Sequence, residues 1–113
     1  IKVQTEIFGD IIKTMRETSP KDLMHIQDYL SAFCFGDFYT RKGVDLKFRE
    51  LITLSIVLSL GGCENQVKAH IKGNLKMGND KELIICLITH CLPYIGFPRT
   101  LNALNCLNEI IPN

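Results

Sequence analysis

Apolar positions recur at helical spacing along almost the whole chain. Ile7, Phe8, Ile11, Ile12 and Met15 fall at i, i+1, i+4, i+5 and i+8, one stripe of a first helix. Ser19-Pro20-Lys21-Asp22 reads as a start signal: serine can cap, proline suits the first helical position, and the acid sits in the first turn. The helix it opens carries Leu23, Met24, Ile26, Leu30 and Phe33 and is expected to run to about residue 35. Gly36 and residues 39–43 then read as a connector, with Arg41 and Lys42 exposed. Asp45 reads as the cap of a third helix over residues 46–60. The β-branched Ile52, Ile56 and Val57 make a strand its rival, but its length and its charged first turn (Lys47, Arg49, Glu50) favour helix. Gly61-Gly62 stops it, because glycine takes the left-handed conformation without steric cost. A fourth helix is expected over about 63–77, ending at Gly78. Asn79-Asp80-Lys81-Glu82 opens a fifth to about residue 92, where Pro93 breaks or kinks it. Pro98 starts a sixth, with Leu101, Leu104, Leu107 and Ile111 on one face. The pattern predicts an all-α protein of about six helices, without a sheet or an internal repeat.

The third and fifth helices have too few polar positions for a solvated face. A helix that is apolar all round is buried, and a 113-residue chain has little interior to spare. Burial between subunits resolves the conflict, so a homo-oligomer is expected. Composition narrows the rest. At 12.8 kDa the chain makes one domain over 1–113 and buries about two thirds of its surface. Apolar residues at 46% against charged residues at 22% exclude a disordered chain. A net charge of +1 leaves no basic excess for a phosphate backbone, so nucleic acid is not an expected partner. The longest uncharged runs, 51–63 and 83–98, have 13 and 16 residues; a membrane span needs about 20. No signal peptide is visible, and a start at Ile1 rather than Met points to a piece of a longer chain. Five cysteines without tight spacing argue against a disulfide scaffold, which makes a reduced cytoplasm the expected setting.

Chemistry concentrates at few positions. Cys63, Gln66 and His70 stand at i, i+3 and i+7, one stripe of the fourth helix. Cys63 lies at the helix start, where the dipole favours a thiolate, although Glu64 opposes it. His70 is a candidate acid or base, and Gln66 can orient a water or a carbonyl. The plainer reading makes Cys63 a small packing residue and His70 a hydrogen-bonded surface histidine. Cys86, His90 and Cys91 could join Cys63 and His70 in a two-cysteine, two-histidine site, but the Cys63–His70 spacing is unlike structural zinc patterns, and no metal is expected. Cys34 and Cys106 read as packing residues. Glu50 is either solvated in its first turn beside Arg49 or turned inward as a proton carrier.

The series Arg49-Glu50-Leu51, then Gly62-Cys63-Glu64-Asn65-Gln66-Val67-Lys68-Ala69-His70, Gly73-Asn74, Gly78-Asn79-Asp80 and Pro93-Tyr94-Ile95-Gly96-Phe97-Pro98-Arg99 resembles the carboxymuconolactone decarboxylase family over about 44–110. Residues 1–43 are left as N-terminal helices. The resemblance implies an alkylhydroperoxidase D-like helical bundle intertwined in an oligomer, a trimer of dimers. It also implies a small-molecule substrate and acid–base chemistry without a cofactor. The family includes alkylhydroperoxidase D itself, a thiol peroxidase partner whose signature is a glutamate, C-x-x-C, and a histidine four residues after the second cysteine. Glu50, Cys63 and His70 match that signature, but Gln66 stands where the second cysteine would be. Without a local dithiol the peroxidase cycle needs another thiol, Cys86 or Cys91 being candidates. The decarboxylase branch lacks the cysteine pair, and Gln66 is compatible with it. On this reading His70 is the acid–base residue, Glu50 orients it, Cys63 and Gln66 line the same pocket, and Tyr94 and Pro98 close it. A thiol-dependent peroxidase using Cys63 and a non-catalytic binding or assembly module are the alternatives.

Overall fold

A computed structural model describes residues 1–112. Among them every regular element is a helix, and no strand occurs. There are seven α-helices rather than about six, and the additional one comes from a break at Gly9. The first stripe divides into α1 (Lys2–Phe8) and α2 (Ile11–Thr18), with Gly9 between them at φ 80. The break rotates the second half of the stripe, so Ile7 and Ile12 are buried while Ile11 faces water. Among the described residues no helix is long and apolar enough to cross a membrane.

The chain forms two compact units. The first, residues 1–46, contains α1 and α2, a 3-10 turn (Lys21–Leu23), α3 (Met24–Tyr29) and a π-helical stretch (Leu30–Phe38). Pro20 precedes the 3-10 turn with extended backbone rather than occupying the first helical position. The expected stop at residue 35 is also overrun, since Gly36 lies inside the π-helical stretch. Phe35 anchors this unit, meeting Phe8 edge-on at 5.6 Å between ring centroids and Tyr39 at 4.7 Å. A polar chain runs through it. Ser31 Oγ donates to Oε1 of the buried Gln4 at 2.5 Å, Arg16 Nη1 donates to Ser31 Oγ at 3.1 Å, and Arg16 Nη2 pairs with Asp28 at 2.6 Å.

The second unit is regular. It holds α4 (Leu46–Leu60), α5 (Glu64–Lys76), α6 (Lys81–Ile95) and α7 (Phe97–Ile110). The central packing is α7 against both α5 and α6. Its core joins Leu54 and Leu58 of α4, Val67 and Ile71 of α5, Ile84 and Ile88 of α6, and Ala103, Cys106 and Leu107 of α7. Each fully buried Leu or Ile contributes about 1.5–3 kcal/mol by leaving water. Asp80 caps α6, its carboxylate accepting the Leu83 N–H at 2.9 Å. Pro93 does not end α6 as expected. It lies inside the last turn, and the helix continues past it to Ile95, where Gly96 at φ 82 closes it.

Candidate active site

Helical periodicity turns Glu50 inward. On α4 it shares a row with Leu54 and Leu58 at intervals of four residues, and all three are buried. Glu50 is thus turned inward rather than solvated in the first turn. On α5 the buried row is Val67, Ile71 and Asn74, which leaves His70 at the edge of that face. The turn Gly61-Gly62, with φ of 75 and 74, folds α5 back so that the two helices present these residues to each other. His70 Nδ1 lies 2.8 Å from Glu50 Oε1. The carboxylate has no accessible surface, whereas the imidazole keeps 12% of its own. The pair is thus layered, with the acid behind and the imidazole in front. A carboxylate on Nδ1 selects the tautomer that carries its proton there and assigns Nε2 to exchange with anything outside.

Two asparagines that sequence reasoning did not assign to the site complete its surroundings. Asn74 Nδ2 donates to the main-chain oxygens of Glu50 at 3.0 Å and His70 at 2.7 Å. Asn79 Nδ2 donates to Lys47 O and to Asn74 Oδ1, both at 2.9 Å. Asn79 is carried inward by a Schellman ending of α5: the Asn79 N–H reaches Asn74 O, the Gly78 N–H reaches Leu75 O, and Gly78 takes the required positive φ of 95. The signal in the sequence was the repeated Gly-Asn pair, Gly73-Asn74 and Gly78-Asn79. Asn79 was read there as part of the cap of the next helix, a role that Asp80 fills alone.

The remaining candidates lie elsewhere. Cys63 precedes the first turn of α5, and its Sγ contacts Val57 O at 3.0 Å. It lines a small cavity of about 10 Å³ with Val67, Arg99 and Cys106 among others. Gln66 is exposed and does not line it, so the stripe Cys63–Gln66–His70 does not become one pocket. The thiol that shares this cavity is Cys106 rather than Cys86 or Cys91, and burial pushes the Cys106 thiol up from its ordinary range. Tyr94 is exposed on α6 and lines an open groove of about 500 Å³ with Ser55, Ser59, His90 and Cys91. His70 is not among the residues lining that groove. Among the described residues no group of three or more His, Cys, Asp or Glu side chains is placed to hold a metal ion.

The chain is 27% identical over 111 residues to 4-carboxymuconolactone decarboxylase of Acinetobacter baylyi, spanning 97% of this chain and 82% of that protein. The model of one family matches residues 25–109. That match begins well before residue 44, where the motifs start, and takes in α3 and the π-helical stretch. It covers most of the chain, which therefore belongs to the carboxymuconolactone decarboxylase family.

Proposed function

We propose that the protein is a decarboxylase-like lyase acting on a small carboxylated lactone, with His70 as its acid–base residue and Glu50 as the group that orients it. The observation that carries this reading is the 2.8 Å contact between a fully buried carboxylate and an imidazole at the edge of the fold. Decarboxylation breaks the bond between the ring carbon and its carboxylate. Carbon dioxide leaves, and the electron pair stays on the carbon as a carbanion-like centre conjugated with the lactone. That carbon then takes a proton. His70 in its protonated form supplies it from Nε2, while Nδ1–H stays on Glu50 and the buried carboxylate offsets the ring's charge. Solvent restores the proton. Such proton transfer by a positioned side chain is worth about 10²–10⁴ in rate, and no step calls for a cofactor.

The proposal includes self-association. Phe48, Ile52, Ile56 and Leu60 follow one another at intervals of four on α4 and are 41–65% exposed. A continuous apolar row of this kind marks an interaction surface. A homo-oligomer, with a trimer of dimers as the arrangement the family resemblance implies, covers it. Light scattering on the purified protein is expected to give a multiple of 12.8 kDa; a stable monomer at micromolar concentration refutes the assembly.

The experiment for the reaction is turnover of 4-carboxymuconolactone, followed by release of carbon dioxide. His70→Ala is expected to abolish it, and Cys63→Ser to leave most of it. A parallel assay supplies a hydroperoxide with a dithiol reductant. If that assay shows turnover and Cys63→Ser alone eliminates it, the lyase reading is wrong and the thiol chemistry is right.

A further inference from the structure

The acid and the imidazole sit on different helices, so their separation is only as fixed as the register of α4 against α5. We propose that Asn74 and Asn79 are positioning residues for the pair, forming a two-amide clamp that holds that register. Its consequence for turnover rests on the acid–base reading above, but its geometry does not.

An amide nitrogen has two hydrogens, and here each asparagine uses both. Asn74 spends its two on the main chain of Glu50 and of His70, one on each helix. Asn79 spends one on Lys47 O and the other on Asn74 Oδ1. Lys47 and Glu50 are nearly one turn apart on α4, a rise of about 4.5 Å. One anchor would let α4 pivot about it; two anchors a turn apart oppose both rotation and sliding. The side-chain orientations follow from the acceptors, since turning either amide over would set oxygen against carbonyl oxygen. The arrangement also has a cost. Asn74 and Asn79 are fully buried, and among the described residues Asn79 Oδ1 has no hydrogen-bond partner. A buried acceptor left in that state is unfavourable. An apolar residue would avoid the cost, but it could not donate to two main-chain oxygens. Neither amide contacts Oε1 or Nδ1 of the pair in the hydrogen bonds described, so both act through the backbone that carries them.

The test compares Asn74→Ala and Asn79→Ala with Leu107→Ala, a core change away from the pair that also lowers the melting temperature. The first readout is the ¹⁵N-labelled imidazole of His70. In the unaltered protein a slowly exchanging Nδ1–H is expected. Both asparagine variants should lose it or speed its exchange, while Leu107→Ala keeps it. In the lactone assay the asparagine variants should lose about tenfold to a hundredfold in kcat with KM within about threefold, as small misplacements of reacting groups do. Folded variants with an unchanged His70 signal overturn the clamp. If the unaltered protein has no lactone turnover, the lyase reading fails while the imidazole signal still decides the clamp. Should neither asparagine variant fold, side-chain amide exchange in the unaltered protein decides: protected Asn74 and Asn79 protons support the clamp, and exchange as fast as that of an exposed asparagine overturns it.

Discussion

Each unit of this protein buries a chain of polar side chains, and the two chains end differently. In the first unit, Gln4, Ser31, Arg16 and Asp28 bond side chain to side chain, and the series runs outward to a carboxylate that is 61% exposed. In the second, Asn79 and Asn74 bond to main-chain oxygens, and the series runs inward to Glu50, with His70 as its outlet. The first arrangement ties short helical elements of six to nine residues together. The second holds helices of 13 and 15 residues in register beneath an acid and a base. Buried polarity alone therefore does not mark a site. On the proposed function, what marks it is a chain that ends on a titratable pair with one member at the surface.

The sharpest way to break this contrast is to remove one outer member of each chain. His70→Ala is expected to lower lactone turnover by about 10²–10⁴, while Arg16→Met leaves kcat of the folded protein unchanged. Steady-state kinetics on the two variants checks this. Comparable losses in both would mean that the polar chain of the first unit also serves the reaction.

Next in size are effects on folding. Leu107→Ala empties part of the second unit's core and should cost about 2–5 kcal/mol. Ser31→Ala removes the donor to the buried Gln4 Oε1 and should cost about 1–3 kcal/mol, the range for a buried polar group left unsatisfied. Urea denaturation followed by circular dichroism gives both values. A Ser31→Ala loss as large as that of Leu107→Ala would show that polar links rather than apolar packing hold the first unit.

How far the sequence carried depends on which interactions set each feature. The second unit was legible because its helices obey local rules: glycine stops at Gly61-Gly62 and Gly78, the Asp80 cap, and long apolar periodicity. The inward turn of Glu50 was legible only as one of two options, because a single acid in a first turn is satisfied by water or by a partner, and the partner is 20 residues away. The break at Gly9 was missed because the stripe from Ile7 to Met15 continues in spacing across it, although a positive φ interrupts the helix there. The π-helical stretch was missed for a related reason: its hydrogen-bond period is not one that apolar spacing reports. Cys63 and Gln66 were placed together by counting helical positions, but Cys63 sits before the first turn of α5, where that counting does not apply. The roles of Asn74 and Asn79 depend on main-chain oxygens of another helix, which no spacing rule within one helix reveals.

The smallest effects come from two of the ion pairs, the one in each unit that closes to 2.6 Å. Arg16 is the less exposed cation, at 22%, and it also bonds Ser31, so Asp28→Asn should lower stability by up to about 1 kcal/mol. Lys68 pairs with Glu109 and keeps 30% of its side-chain surface, so Glu109→Gln should have a smaller effect at neutral pH. It has a distinctive pH dependence. The hydrogen bond that Lys68 Nζ donates to the Glu109 carboxylate raises the Lys68 pKa above its ordinary value of 10.5. A group whose pKa is raised by folding contributes stability that is fully present below the unfolded value and lost as pH rises through the folded one. The gap between the unaltered protein and Glu109→Gln should therefore stay constant from pH 7 to 10 and close above 10.5. Thermal melts of the two proteins across that range measure it. A gap that widens in alkali, or that exceeds the effect of Asp28→Asn at neutral pH, would show that the pair in the second unit does more than an ordinary solvated contact.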